Sequence, residues 1–124
     1  MALKYKNVEA RTAAEAVYKG SWGEIAHEET RCIHFVRNIH GVEEIWTYPY
    51  EALLRWVFRK YEPEEIEILA GGDTIKITGY GMEKFLDALE KKQLRRIEQR
   101  ATRFVAAQPE GCYVTEIKIE SLRT

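Results

Sequence analysis

Several stretches of the chain alternate apolar and polar residues with a period of two. In "EEIEILA" (64–70) Ile66 and Ile68 stand against Glu65 and Glu67. In "DTIKITG" (73–79) Ile75 and Ile77 stand against Lys76 and Thr78. Such alternation puts one set of side chains on each face of a strand. Gly71-Gly72-Asp73 supplies a tight turn, because glycine takes positive φ at no steric cost, so 64–79 predicts a β-hairpin. Opposed Glu65, Glu67 and Lys76 can pair across its solvent face. "CIHFVR" (32–37) and "VEEIWTY" (42–48) have the β-branched and aromatic density of strands, and Asn38 and Gly41 suit a turn between them, which predicts a second hairpin. "CYVTEIKIESL" (112–122) alternates as a C-terminal strand. Leu3 and Tyr5 against Lys4 and Lys6 predict an edge strand over 2–6.

Other stretches show spacings of three and four, the mark of a helix with one apolar face. An Ala-rich helix is expected over 8–19, capped by Asn7 and stopped by Gly20. Pro49 fits the first position of a second helix, "PYEALLRWVFRKY", whose stripe is Tyr50, Leu53, Leu54, Val57, Phe58 and Tyr61, with Pro63 ending it. A third begins near residue 81 with Met82, Phe85, Leu86 and Leu89. Its stripe continues through Ile97, Ala101, Phe104 and Val105 if the helix runs to about 107. A break near 92–94, with "LRRIEQ" as a strand, is the alternative; the preserved phase from Leu89 to Ile97 favours one long or slightly broken helix. The chain therefore predicts a single α+β domain over 1–124. Its antiparallel or mixed sheet is built from hairpins, with two to three helices packed mainly on one face. A barrel-like sheet cupping one long helix is a second arrangement the pattern allows.

Composition narrows the classes. The 124 residues are 45% hydrophobic and 31% charged, enough for one core. No apolar run approaches the ~20 residues of a membrane helix, and the N-terminal segment has no apolar signal region, so a cytoplasmic protein without membrane contact is expected. Cys32 and Cys112 form no disulfide framework and are expected as free thiols. The net charge of −1 neither demands nor excludes a nucleic-acid partner.

Charge is nevertheless unevenly placed. "KKQLRRIEQRATR" (91–103) carries Lys91, Lys92, Arg95, Arg96, Arg100 and Arg103 against Glu98. On a helix, Lys92, Arg96, Gln99 and Arg103 share a face, with Arg95 and Arg100 flanking, and such a stripe can follow nucleic-acid phosphates. A solvated helix face explains the same residues: acids lie early and bases late, as the helix dipole favours. Residues 43–67 hold seven acids and three bases, net −4, while 84–103 hold seven bases and three acids, net +4. These segments can pair between copies of the chain. Among the aromatics of 46–61, Trp56 falls off the helical core stripe and is an interface or base-stacking candidate, with Trp46 beside it.

Two further motifs are weaker. Gly79, Gly81 and Lys84 lead into a helix, where an anion can bind, but Lys84 occupies the third position of a dinucleotide fingerprint and no Walker spacing is present. A plain strand-to-helix turn accounts for them. His27, Cys32 and His34, with His40 nearby, are metal-ligand types, and Cys32 and His34 would share one strand face; no second ligand pair of reliable spacing accompanies them. A Cys32–His34 nucleophile pair lacks any identifiable orienting acid. The expectation is a small non-enzymatic protein, without cofactor, acting through protein–protein contact as a homodimer or with another protein. The alternatives are a nucleic-acid-binding accessory protein using 91–103 and a metal or thiol enzyme centred on His27, Cys32 and His34.

Overall fold

A computed structural model describes residues 16–20, 22–100 and 111–122. The expected strand over 2–6 and most of the expected helix over 8–19 lie outside these residues. The strands are β1 (Ala16–Gly20), β2 (Gly23–Ala26), β3 (Cys32–Ile39), β4 (Val42–Pro49), β5 (Leu53–Arg59), β6 (Glu64–Ala70), β7 (Asp73–Tyr80), β8 (Leu94–Glu98) and β9 (Tyr113–Ser121). Among the described residues there is one α-helix, α1 (Glu83–Glu90), and a 3-10 turn, Tyr50–Ala52. The strands form two sheets, ordered β1-β2-β8-β3-β4 and β5-β6-β7-β9. All neighbours are antiparallel except β3 and β8. Both sheets and α1 contribute to one buried cluster, in which Trp22, Ile33, Phe35, Ile68, Ile75, Ile77, Phe85 and Ile97 are fully enclosed. Each such side chain contributes about 1.5–3 kcal/mol on leaving water.

The expected α+β class is therefore corrected: the fold is mostly β, and among the described residues no set of two or three helices covers a sheet. Two of the predicted helices fail for a shared reason. In β5, Leu53, Trp56 and Phe58 turn inward, while Arg55, Val57 and Arg59 turn outward. A bulge inserts Leu54 between Leu53 and Arg55. One extra residue converts a spacing of two into a spacing of three and imitates a helical stripe. The helix expected from residue 81 stops at Glu90; Lys92 takes φ +59 and turns the chain into β8. There Leu94 and Ile97 are both fully buried, again three apart, beside a register shift against β2. The disfavoured alternative, a break at 92–94 followed by a strand, is the observed one. Ala101, Phe104 and Val105 lie outside the described residues. The described part of the helix expected over 8–19 is strand β1.

The hairpins fare differently. β3 and β4 pair over their whole lengths, with Asn38 Oδ1 accepting from Gly41 N–H at the turn (2.9 Å). β6 and β7 pair from Glu64↔Gly79 to Ala70↔Asp73, and β9 adds to β7. Two tyrosines from the β4–β5 corner tie the layers together. Tyr48 Oη donates to Asp73 (2.7 Å) at the head of β7, and Tyr50 Oη donates to the Leu94 carbonyl of β8. Burial comes first in pushing both phenols well above the usual tyrosine range, and the Asp73 carboxylate adds to it for Tyr48. No helix among the described residues is long and apolar enough to cross a membrane.

Candidate interaction surface

The basic segment is not a helical stripe. Lys91 and Lys92 sit in the turn after α1, and Arg95 and Arg96 lie on β8, an interior strand between β2 and β3. Each described arginine of the segment meets a carboxylate. Arg95 pairs with Glu24 (2.7 Å), Arg96 with Glu98, and Arg100 with the other oxygen of Glu98 (3.0 Å). Arg96 also reaches the carbonyls of Gly20 and Gly23. Lys91 pairs with Asp87 one helical turn back. Arg103 lies outside the described residues. The acidic segment balances itself in part: Arg59 bridges Glu65 (2.6 Å) and Glu67 (2.7 Å).

The glycines of the strand-to-helix turn have close backbone neighbours. A Cβ on Gly79 would lie 2.1 Å from the Tyr113 carbonyl oxygen, and one on Gly81, where φ is +63°, 2.2 Å from the Gly111 carbonyl oxygen. Just before α1, Met82 N–H donates to the Glu64 carboxylate (2.9 Å), so a side chain of the protein stands where an anion would. Lys84 lies in the first turn of α1. Cys32 and His34 share the outer face of β3, and His34 Nδ1 meets Thr47 Oγ1 (2.8 Å) on β4; His27 is exposed in the loop after β2. Among the described residues no three of the His, Cys, Asp and Glu side chains are grouped to hold a metal ion. Trp56 packs against the core from the inner face of β5, as does Trp46 from β4. Trp46 Nε1 donates to Glu44, and Arg37 both pairs with Glu44 and lies 5.5 Å from the Trp46 ring. The indole hydrogen bond, then the Arg37 guanidinium, hold the Glu44 carboxyl below the usual carboxylate range.

The surface with unspent chemistry is the outer face of the β5-β6-β7-β9 sheet. Its side chains stand in three cross-strand rows: Arg55–Leu69–Thr74–Glu120, Val57–Glu67–Lys76–Lys118 and Arg59–Glu65–Thr78–Glu116. At one end Arg55, Val57, Arg59, Glu67, Leu69, Thr74 and Leu122 line a shallow depression of about 400 Å³. Val57 and Leu122 are 43% and 58% exposed, and Leu54, at the bulge beside Arg55, is 63% exposed. Arg55, Lys76, Glu116, Lys118 and Glu120 form no ion pair among the described residues. Reasoning from sequence finds the β6, β7 and β9 parts of this face, because their alternation is clean. It misses Arg55, Val57 and Leu54 because β5 carries a helical spacing. The chain matches no protein-family model, no curated protein and no solved structure.

Proposed function

We propose that this domain works by protein–protein contact and self-associates through the outer face of the β5-β6-β7-β9 sheet. The observation that carries this reading is the composition of that face. Exposed aliphatic side chains (Val57, Leu122, with Leu54 at the corner) adjoin Arg55, a guanidinium without an ion-pair partner among the described residues. Aliphatic side chains grouped at the surface and rimmed by polar and charged ones are what a contact surface presents before it meets its partner. The face also has four bases (Arg55, Arg59, Lys76, Lys118) and four acids (Glu65, Glu67, Glu116, Glu120), a balance suited to a partner of mixed charge rather than to a polyanion. The matching of Arg95, Arg96 and Arg100 to carboxylates supports contact with protein over nucleic acid as well.

Size-exclusion chromatography with light scattering, at low and high salt, tests the proposal. A dimer that loosens as salt rises is the expected outcome. A monomer at both salts and at high protein concentration would refute self-association.

A further inference from the structure

We infer that two copies pack this face against itself about a twofold axis that runs parallel to the strands, between β6 and β7. The inference rests on the self-association reading and adds which residues meet. Two sheets packed face to face keep their strands roughly aligned, about 30° apart and about 10 Å between layers. A twofold axis in the plane of contact can then lie along the strands or across them.

The three rows distinguish the two cases. An axis along the strands reverses each row: β5 of one copy lies over β9 of the other, and β6 over β7. Arg55 then faces the second copy's Glu120, Arg59 faces its Glu116, and Glu67 faces its Lys76. Val57 meets the stem of Lys118, Leu69 meets Thr74, Glu65 meets Thr78, and the exposed Leu54 corner meets the Leu122 corner. Every charge that faces another charge faces its opposite. An axis across the strands, through the middle row, gives the reverse. It sets Arg55 over Arg59, Glu116 over Glu120, and Glu67, Lys76 and Lys118 each over itself. Wherever a charge faces another charge in that arrangement it faces its like, with only Glu65 falling over Leu69, and like charges brought together across an interface are strongly unfavourable. The charge pattern thus selects one orientation and rejects the other.

The area fits a modest dimer. Four strands at about 4.8 Å and seven residues at about 3.4 Å make a face of about 20 by 24 Å. Side-chain relief brings this toward, but not beyond, the ~800 Å² per partner of a standard interface. Arg59 and Glu67 already pair within the chain, so orientation falls chiefly to Arg55 and Glu120, both exposed.

The test uses two single variants of the whole chain, Arg55→Glu and Glu120→Arg, studied by sedimentation at low salt, separately and mixed. Because the symmetry repeats each contact, one reversal strikes twice, and each variant alone should dimerise about 100-fold more weakly than the native chain. Mixed in equal amounts, the two variants restore both contacts in a heterodimer and should associate to within about tenfold of the native chain. Circular dichroism of each variant, expected to be native-like because both sites are exposed, checks that the fold is kept. A native dimer that neither variant weakens, or two weakened variants that do not rescue each other, would overturn this pairing while leaving self-association standing. A native chain that never dimerises would overturn both.

Discussion

Replacing Gly79 by alanine tests the packing logic at the point where the sequence most suggests a ligand loop. The added Cβ would sit 2.1 Å from the Tyr113 carbonyl oxygen, 3.0 Å from Val114 Cα and 3.1 Å from Met82 Sδ. A real Cβ essentially never lies closer than 3.0 Å to such an atom, so β7 and β9 must part by about 1 Å at the least. The obstacle is backbone, which cannot swing aside as a side chain would. A shift of that size stretches a 2.9 Å hydrogen bond to nearly 4 Å, beyond useful range. One or two ladder bonds near Gly79↔Val114 and Tyr80↔Tyr113 are then lost, at about 1 kcal/mol each. Val114 and Met82, both fully buried, must also repack, at about 1–3 kcal/mol. The better strand propensity of alanine returns about 0.5–1 kcal/mol. The net cost is about 2–4 kcal/mol, a large part of the stability of a domain this size. Urea unfolding, followed by tryptophan fluorescence and far-ultraviolet circular dichroism, should show the midpoint falling by about 1–3 M at an m-value of ~1.5 kcal/mol per M. Gly41→Ala is the control: its φ is +81° but nothing lies within 4 Å, so only the backbone cost of about 1 kcal/mol applies. A Gly79→Ala protein within about 1 kcal/mol of the native chain, or no worse than Gly41→Ala, would refute the close-approach argument.

Three other predictions follow from the same geometry. Tyr48 and Tyr50 keep their protons in the folded state to higher pH than in the unfolded chain, where they titrate near 10. Their stabilising contribution is thus complete below pH 10 and is lost as pH rises above it. The slope is about 1.4 kcal/mol per pH unit for each tyrosine, and urea midpoints between pH 9 and 11 should show it shrinking in Tyr48→Phe and Tyr50→Phe. Removing the carboxylate that accepts from Met82 N–H, by Glu64→Ala, should cost about 1 kcal/mol in the same assay. Trp22 is fully buried, and its indole N–H meets no acceptor among the described residues. Trp22→Phe trades that unmet donor for a small void, so thermal and urea unfolding should move by less than about 1 kcal/mol, against about 3–5 kcal/mol for Phe85→Ala.

What could be read from the residues followed the period of the pattern. The β6–β7 hairpin was legible because Ile66, Ile68, Ile75 and Ile77 alternate without interruption and Gly71-Gly72 marks the turn. The β3–β4 hairpin and β9 were legible for the same reason, aided by the Asn38–Gly41 turn. β5 and β8 were misread because each carries an irregularity that adds one residue to the spacing, and a strand with one bulge resembles a helix over two turns. Residue type was divided as well: in "LLRWVFR" Trp56, Val57 and Phe58 favour a strand, while Leu53, Leu54, Arg55 and Arg59 are good helix formers. Helix propensity was, by contrast, correct for "EKFLDALE", where spacing and residue type agree.

The candidate surface was only half legible, because charge summed along the sequence does not show which side chains share a face. Counting charges by segment set 43–67 against 84–103, because a linear tally treats every residue between two numbers as sharing a surface. Strands divide such a segment between two faces. Within 53–67, Arg55, Val57, Arg59, Glu65 and Glu67 turn outward, while Trp56, Phe58 and Ile66 go to the core. Arg95 and Arg96, counted in the basic segment, belong to the other sheet and meet Glu24 and Glu98 there. Electrostatic complementarity is a property of neighbours in space, and in a β protein those neighbours are set by register. Once the register is known, Arg55 and Glu120, 65 positions apart in the chain, stand at the two ends of one row. In the proposed dimer the opposition that matters lies between the β5 and β9 borders of a single sheet, not between two stretches of sequence.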